Sequence, residues 1–384
     1  MRSTSMLAAV LAPGVCGALA FSPAASVRSS VVAATPSAVV AHQLAPFGRR
    51  CPQQNIVACA AEIAESIRYI PALDPMASDT EAAEGATTMP LFPLGVTYLP
   101  YTTPVLNIFE PRYRAMYNDI LFSGARRFAV CSVDPETGRL AEVAVVFYLD
   151  ELKEVSEQTN DRVKYVGQHS VIGRVKLVKV LNQAVSATRE TYLKAEVEEL
   201  ADTDEGEDLS DAEESVRTLF CDLVDVQAEL GEEPRFTDAV KSTLNFGRGT
   251  SADDKGMWGT VMLWQQFLEQ RASVVGSKMQ KEIQKEVVTY LKSNSIDSDK
   301  VNSRGEMRLE DLPEPLAAEI RNIQRRYREE LDASESDPYG LQFQALVQAP
   351  SHAERLDVLK GILSSERKRL AARATLQSMF KKDE

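Results

Sequence analysis

The chain has 384 residues, with 43 basic against 56 acidic side chains and a formal net charge of −13. Phosphate contacts demand a positive face, so this balance makes a poor general nucleic-acid binder, and no nucleic-acid partner is expected. Two domains are the natural count for this length.

The first 61 residues do not enter fold reasoning. Arg2 precedes an apolar stretch from Met6 to Leu19 that ends in Ala18-Leu19-Ala20, a small-x-small cleavage pattern, so residues 1–20 read as a signal peptide. The stretch is too short and too interrupted by Gly and Pro for a membrane span. Residues 21–61 are rich in Ser, Ala and Val, carry Arg28, Arg49 and Arg50, and contain no acid, which is transit-peptide composition. Removing this leader takes the remainder to −17. A signal followed by a transit-like segment, with Phe21 at the junction, resembles the bipartite presequence of plastid proteins in algae with secondary plastids. That resemblance implies delivery to the stroma; the alternative is a secreted protein with an unstructured leader. Cys16, Cys51 and Cys59 lie in the leader, leaving Cys131 and Cys221, which form neither a disulfide framework nor a metal site and suit a reducing compartment.

Residues 62–88 are rich in Ala, Glu, Ser and Thr and read as a flexible linker with one short helical piece. The stretch from Met89 to Tyr117 organises the rest of the chain. Leu91 and Phe92 form a brief strand closed by Pro93 and Gly95. Val105 to Phe109 make a second strand, buried on at least one face. Pro111 then suits a first helical position, Glu110 places a negative charge at the helix N-terminus, and Tyr113, Met116, Tyr117 and Ile120 recur at helical spacing.

The pair of blocks Pro90-Leu91-Phe92-Pro93-Leu94 and Asn107-Ile108-Phe109-Glu110-Pro111-Arg112-Tyr113-Arg114-Ala115-Met116 resembles the opening of the Lon protease N-terminal substrate-binding domain. The resemblance continues through Arg127-Phe128-Ala129-Val130, Ala141-Glu142-Val143 and Val171-Ile172-Gly173-Arg174-Val175, covering about Met89 to Leu200 with an echo in the final helices. The chain departs from the family pattern at Asn107, where the family usually has His. The resemblance implies an α+β fold, a PUA-like β pseudobarrel followed by an all-α helical bundle, and binding of unfolded or tagged polypeptides.

Further strands are expected at Phe128 to Val133, at Leu140 to Leu149 after a turn at 134–138, at Val163 to Val166, at Ser170 to Leu181 and at Tyr192 to Leu200. Residues 151–162 read as a polar hairpin loop. Six or so short strands with one early helix suggest a closed or nearly closed barrel over 89–201. Asp202 to Asp208, DTDEGED, reads as a solvated acidic linker; it lacks the register of a calcium loop.

From residue 209 to 375 the chain reads as helical, with a tail at 376–384. Ser210 and Glu213 form a capping box ahead of Val216, Leu219, Phe220, Leu223, Val226 and Leu230, with Gly231 as the stop. A short helix follows Thr237. Met257, Val261, Trp264 and Leu268 mark one amphipathic helix, and Met279, Ile283 and Val287 another after Gly276. Pro313 to Leu331 is a further helix. Ser351 and Glu354 cap the last one, in which Leu356, Leu359, Leu363 and Leu370 form a stripe. Trp258 and Trp264 read as core.

Catalytic signatures are missing from the sequence. No Gly-Lys dipeptide exists, so no phosphate loop of the G-x-x-x-x-G-K-[ST] type does, and there is no G-x-S-x-G or H-E-x-x-H. His169, between expected strands, and His352, in a helix's first turn, have no triad partners nearby in sequence. No enzyme activity, cofactor or metal is expected. The candidate peptide-binding residues are Tyr98, Tyr101, Glu110, Arg112 and Tyr113, on a Gly/Pro/Tyr-rich loop and the strand-to-helix corner. The alternative for the corner is that it only holds the turn, with Arg112 paired to an acid inside the domain. Two functions stay open: a plastid adaptor or client-capture module working with a protease or chaperone, and a structural subunit docked on a photosynthetic or membrane complex.

Overall fold

The computed structural model describes residues 65–294, 312–333 and 340–380, so the leader lies outside the described residues. Six strands form the N-terminal half: β1 (Thr87–Leu94), β2 (Val105–Ile108), β3 (Arg127–Ser132), β4 (Val143–Glu154), β5 (Tyr165–Val180) and β6 (Leu193–Glu199), with helix α1 (Pro111–Phe122) after β2. The order is β2-β5-β4-β3-β1-β6, and β6 also pairs with β5. Five strands therefore close a barrel, in which only the β1–β3 pair is parallel. The sixteen-residue β5 makes closure possible: its second half pairs with β6 from Val175 to Val180, while its first half pairs with β2 from Tyr165 to Gln168. Residues expected as two strands around His169 are thus one, and β4 runs on to Glu154 into the expected loop.

Strand alternation feeds two cores. Leu91, Ala129, Cys131, Ala144, Val146, Val175, Leu177 and Ala195 belong to one, dominated by small and β-branched side chains. Phe92, Phe128, Val130, Val145 and Phe147 point the other way, into a larger aromatic core that also takes in Tyr113, Met116 and Tyr117 of α1. His169 is fully buried there. Its Nε2 lies 2.7 Å from the Tyr117 hydroxyl and its Nδ1 3.3 Å from the Pro104 carbonyl, so it accepts from the phenol and donates to the carbonyl. A Cβ on Gly167 would sit 2.8 Å from the ring, which is why glycine stands there.

The helical half comprises α2 (Ser210–Leu230), α3 (Met257–Asn294), α4 (Glu314–Ala333), α5 (Leu341–Gln348) and α6 (His352–Phe380), with a 3-10 turn at Asp238–Ser242. The α+β expectation of a barrel followed by helices holds, and the leucine stripe of α6 is buried as expected. Several details differ. Gly276 does not end a helix, since α3 runs unbroken for 38 residues; one helical glycine costs about 1 kcal/mol, too little to stop a long helix. The Ser210–Glu213 capping box does not form. Asp208 instead accepts from the Ser210 main-chain N–H and hydroxyl. Residues 65–76 are not a free linker, because Ile67 and Ile70 are buried and Arg68 pairs with Glu142. Helix α5 had no sequence signal of its own. Its Gln344 accepts from Ser132 and donates to the Val143 carbonyl, and Gln348 ties to the main chain of Ser66 and Arg68.

The acidic run is the main correction. Glu205 to Asp208 are exposed as expected, but Asp204 is buried and Asp202 largely covered, and these two fasten the two halves together. Asp202 accepts from Arg174 of β5 at 2.6 Å and from both terminal nitrogens of Arg355 of α6. Asp204 is buried. It accepts from Arg248 at 2.7 Å and from the main-chain N–H groups of His352 and Ala353 at 3.0 and 2.9 Å, capping α6 alongside Ser351, which accepts from Glu354 N–H. Arg174 also donates to the carbonyls of Val347 and Ala349 at the end of α5. Burial opposes the Asp204 carboxylate, but Arg248 and the helix N–H groups outweigh it and hold its pKa far below the usual range. The run looked like a linker because its three arginine partners stand far from it in sequence.

Two measurements probe this core. Asp204→Ala takes away the nearest carboxylate of Arg248, which keeps Asp202 at 3.6 Å, leaves two helix donors open and is expected to cost about 3 kcal/mol in urea unfolding; a loss under about 1 kcal/mol would show that the cap is dispensable. His169 stays neutral until about pH 4 because burial opposes its charge, whereas an unfolded histidine takes its proton near 6.5. Stability should therefore fall with acidification between those values, by about 1.4 kcal/mol per pH unit from this group. An NMR titration placing the His169 midpoint at the unperturbed value would contradict this.

Candidate functional site

The five residues singled out in the sequence do not form one site. Tyr113 is buried, stacked on Phe92 at 3.8 Å, with its hydroxyl pushed up to about 12 by burial. Arg112 lies 4.4 Å over the Tyr113 ring and donates to Glu110 at 2.8 Å. Glu110, Arg112 and Tyr113 thus sit together at the strand-to-helix corner, with Arg112 paired to an acid of the same domain. Tyr98 is half-buried, with its ring edge-on to Phe147 at 5.1 Å and burial pushing its hydroxyl pKa up.

Tyr101 is placed differently. Its φ of 63° lies in the left-handed region, which a bulky side chain adopts only when its surroundings demand it. Two bonds hold it: its N–H donates to Val171 at 2.9 Å, and its hydroxyl donates to the Gly249 carbonyl at 3.2 Å. A Cβ on Gly249 would come within 2.8 Å of the Tyr101 ring and 2.4 Å of the Lys255 carbonyl, so only glycine lets the loop approach. Tyr101, Thr102, Ser170, Val171 and Ile172 of the barrel and Ser251 and Ala252 of that loop line an open depression of about 170 Å³.

The depression continues the outward surface of β2 and β5. Val105 and Phe109 are 44% and 50% exposed, and Ile172, at a β-bulge where β5 carries an extra residue opposite β4, is 42% exposed. Asn107 is exposed between Val105 and Phe109, while Leu106 and Ile108 turn inward. The outward face from Thr103 to Phe109 carries no charge, nor do Gln168 and Val166, the β5 partners of Val105 and Asn107. This surface is apolar at its high points and can hold a polypeptide through main-chain bonds and shallow side-chain contacts. None of the residues that form it is an acid or base positioned for bond cleavage. Among the described residues no group of His, Cys, Asp and Glu is placed to hold a metal, and Cys131 is buried with its thiol pushed up to about 12. Sequence reasoning found Tyr101 but passed over Val105, Asn107, Phe109 and Ile172; the signal was the alternation within a charge-free 103–109 stretch.

The family model for the ATP-dependent protease La (LON) substrate-binding domain matches residues 88–370. The match runs through the helical half, well past the Leu200 limit of the resemblance read in the sequence. Among solved structures, a Lon N-terminal domain protein from Xanthomonas campestris is 18% identical, the match covering 46% of this chain and 98% of that one with a TM-score of 0.27. The N-terminal domain of a Lon protease of the Mycobacterium avium complex is 12% identical over 41% of this chain and 89% of that one, with a TM-score of 0.28. No curated protein matches the chain.

The geometry separates corner from surface by mutation. Arg112→Ala is expected to lower stability by about 1 kcal/mol through loss of its ring and carboxylate contacts, without changing polypeptide binding. Ile172→Asp should weaken binding and leave the unfolding midpoint in place. The opposite pattern would return the site to the corner.

Proposed function

The chain belongs to the Lon substrate-binding domain family, and from that premise we propose that it is a non-catalytic polypeptide-binding module acting in plastid protein quality control, as an adaptor or client-capture protein. One observation carries the reading: Val105, Phe109 and Ile172 are exposed apolar side chains on β2, just after it and on β5, next to a depression lined by Tyr101 in a strained backbone conformation. A segment with exposed apolar side chains loses little there by leaving water, and it meets no buried charge that would need compensation. The sequence motifs for ATP binding and peptide cleavage are missing, so the module would hand clients to a separate protease or chaperone. Plastid delivery is supported by the acid-free leader with its signal-like start.

A second reading, a structural subunit docked on a photosynthetic or membrane complex, draws on Leu376 and Met379, which are exposed near the end of α6. Among the described residues no helix is long and apolar enough to cross a membrane. The experiment measures binding of the full chain to reduced, carboxymethylated lactalbumin, a permanently unfolded polypeptide, alongside native lactalbumin. Client capture predicts saturable binding of the unfolded form alone, without ATP and without cleavage. Failure to bind it, together with recovery from plastids in one stoichiometric complex, would favour the docked subunit instead.

A further inference from the structure

The edge of β2 that faces away from β5 has no strand against it among the described residues. Main-chain bonding shows which groups line it. The carbonyls of Thr102, Pro104 and Ile108 accept from Val171, His169 and Lys164, so the even-numbered residues turn toward β5. In an antiparallel pair the direction alternates, and the N–H and C=O groups of Val105 and Asn107 therefore turn to the open side. Pro104, the residue without an N–H, faces β5 and leaves the open row of donors intact.

Exposed edges in soluble proteins are usually guarded by lysine, proline, a bulge or a covering segment. This one carries Thr103, Val105, Asn107 and Phe109, all exposed and uncharged, in a chain with a net charge of −13. The neighbouring β5 partners Gln168 and Val166 are uncharged as well. The charges that flank this strip come in opposite-sign pairs, Arg114 with Asp161 beside the Phe109 carbonyl and Glu151 with Lys153 on β4 beyond β5, so it carries no net counter-charge for an acidic or basic segment and what it complements is a neutral one. Val105 and Phe109, each near half exposed, offer apolar contact to side chains on one face of a strand lying alongside.

We propose that an extended, uncharged polypeptide segment with apolar residues at alternate positions adds to β2 as a further strand, bonding to the main chain of Val105 and Asn107. The proposal rests on the polypeptide-binding reading and gives it a place and a chemistry. Main-chain bonds supply affinity that tolerates many sequences, and the neutral strip excludes charged ones. Exposed, strand-forming and uncharged is a description of segments that are normally buried in folded proteins, so the edge selects for unfolding without reading a tag.

The test uses the full chain and two probes: a fluorescein-labelled eight-residue peptide alternating threonine and valine, and carboxymethylated lactalbumin. Asn107→Pro removes one open-side donor and keeps every bond to β5, a position where strands tolerate proline; Asn107→Ala keeps the donor. The same peptide with its alternate amides N-methylated removes the bonds from the other partner, so the answer does not depend on the proline variant folding. Strand addition predicts about tenfold weaker binding for Asn107→Pro and for the N-methylated peptide, with Asn107→Ala unchanged. Equal binding of the plain and N-methylated peptides, or equal binding by a folded Asn107→Pro, overturns the edge site; if lactalbumin still binds, the wider reading survives. If the unaltered chain binds neither probe, the wider reading fails and takes this one with it.

Discussion

Two carboxylates, Asp202 and Asp204, make the contacts on which the rest of the molecule depends. They stand where the barrel ends and the helices begin, and each is held by arginines from elsewhere in the chain: Arg174 from β5, Arg248 from the loop before α3 and Arg355 from α6. Placing charges in a buried setting costs several kcal/mol per ion unless the geometry returns it. Here part of the return comes from the carboxylate of Asp204, which also satisfies two N–H groups that the start of α6 would otherwise leave open. His352 joins the same cluster, donating from Nε2 to the Phe246 carbonyl, with burial, Arg355 and Arg248 together keeping it neutral.

The consequence is that barrel and helices share one core. Phe92 and Tyr117 of the barrel half and Phe343, Leu346 and Leu356 of the helical half belong to the same buried cluster. The family model likewise spans both halves, running to residue 370. The shared core also fixes the loop at 249–252 against Tyr101, so that the helical half helps shape the surface beside β2. Removing either half would alter the other's exposed face.

Much of this was legible in the chain, and the misses have a common physical origin. Local signals held: Pro111 started α1, Gly231 ended α2 in the left-handed conformation, and the leucine stripe of α6 was buried. Readings failed where a residue's partner is remote. The acidic run looked solvated because Arg355 lies more than 150 residues on. His169 looked like a loop residue because nothing nearby announces Tyr117 as its partner. Helix α5 is eight residues long and almost wholly buried, so it carries no amphipathic period to read. The site was half legible for a different reason. Tyr101 stood out by type and loop setting, whereas an open strand edge is a property of pairing, which only the sheet order reveals.

The union of the two halves through the carboxylate cluster is the claim on which everything else rests. Native-state hydrogen exchange across a urea series tests it directly, because it reports the opening free energy of each element separately. If the cluster fuses the halves, the slowest amides of β3 and β4 and those of α2 and α6 converge on a single opening isotherm. If the helical amides exchange through an opening well below that of a still-protected barrel, the halves are separate units and the central claim is wrong.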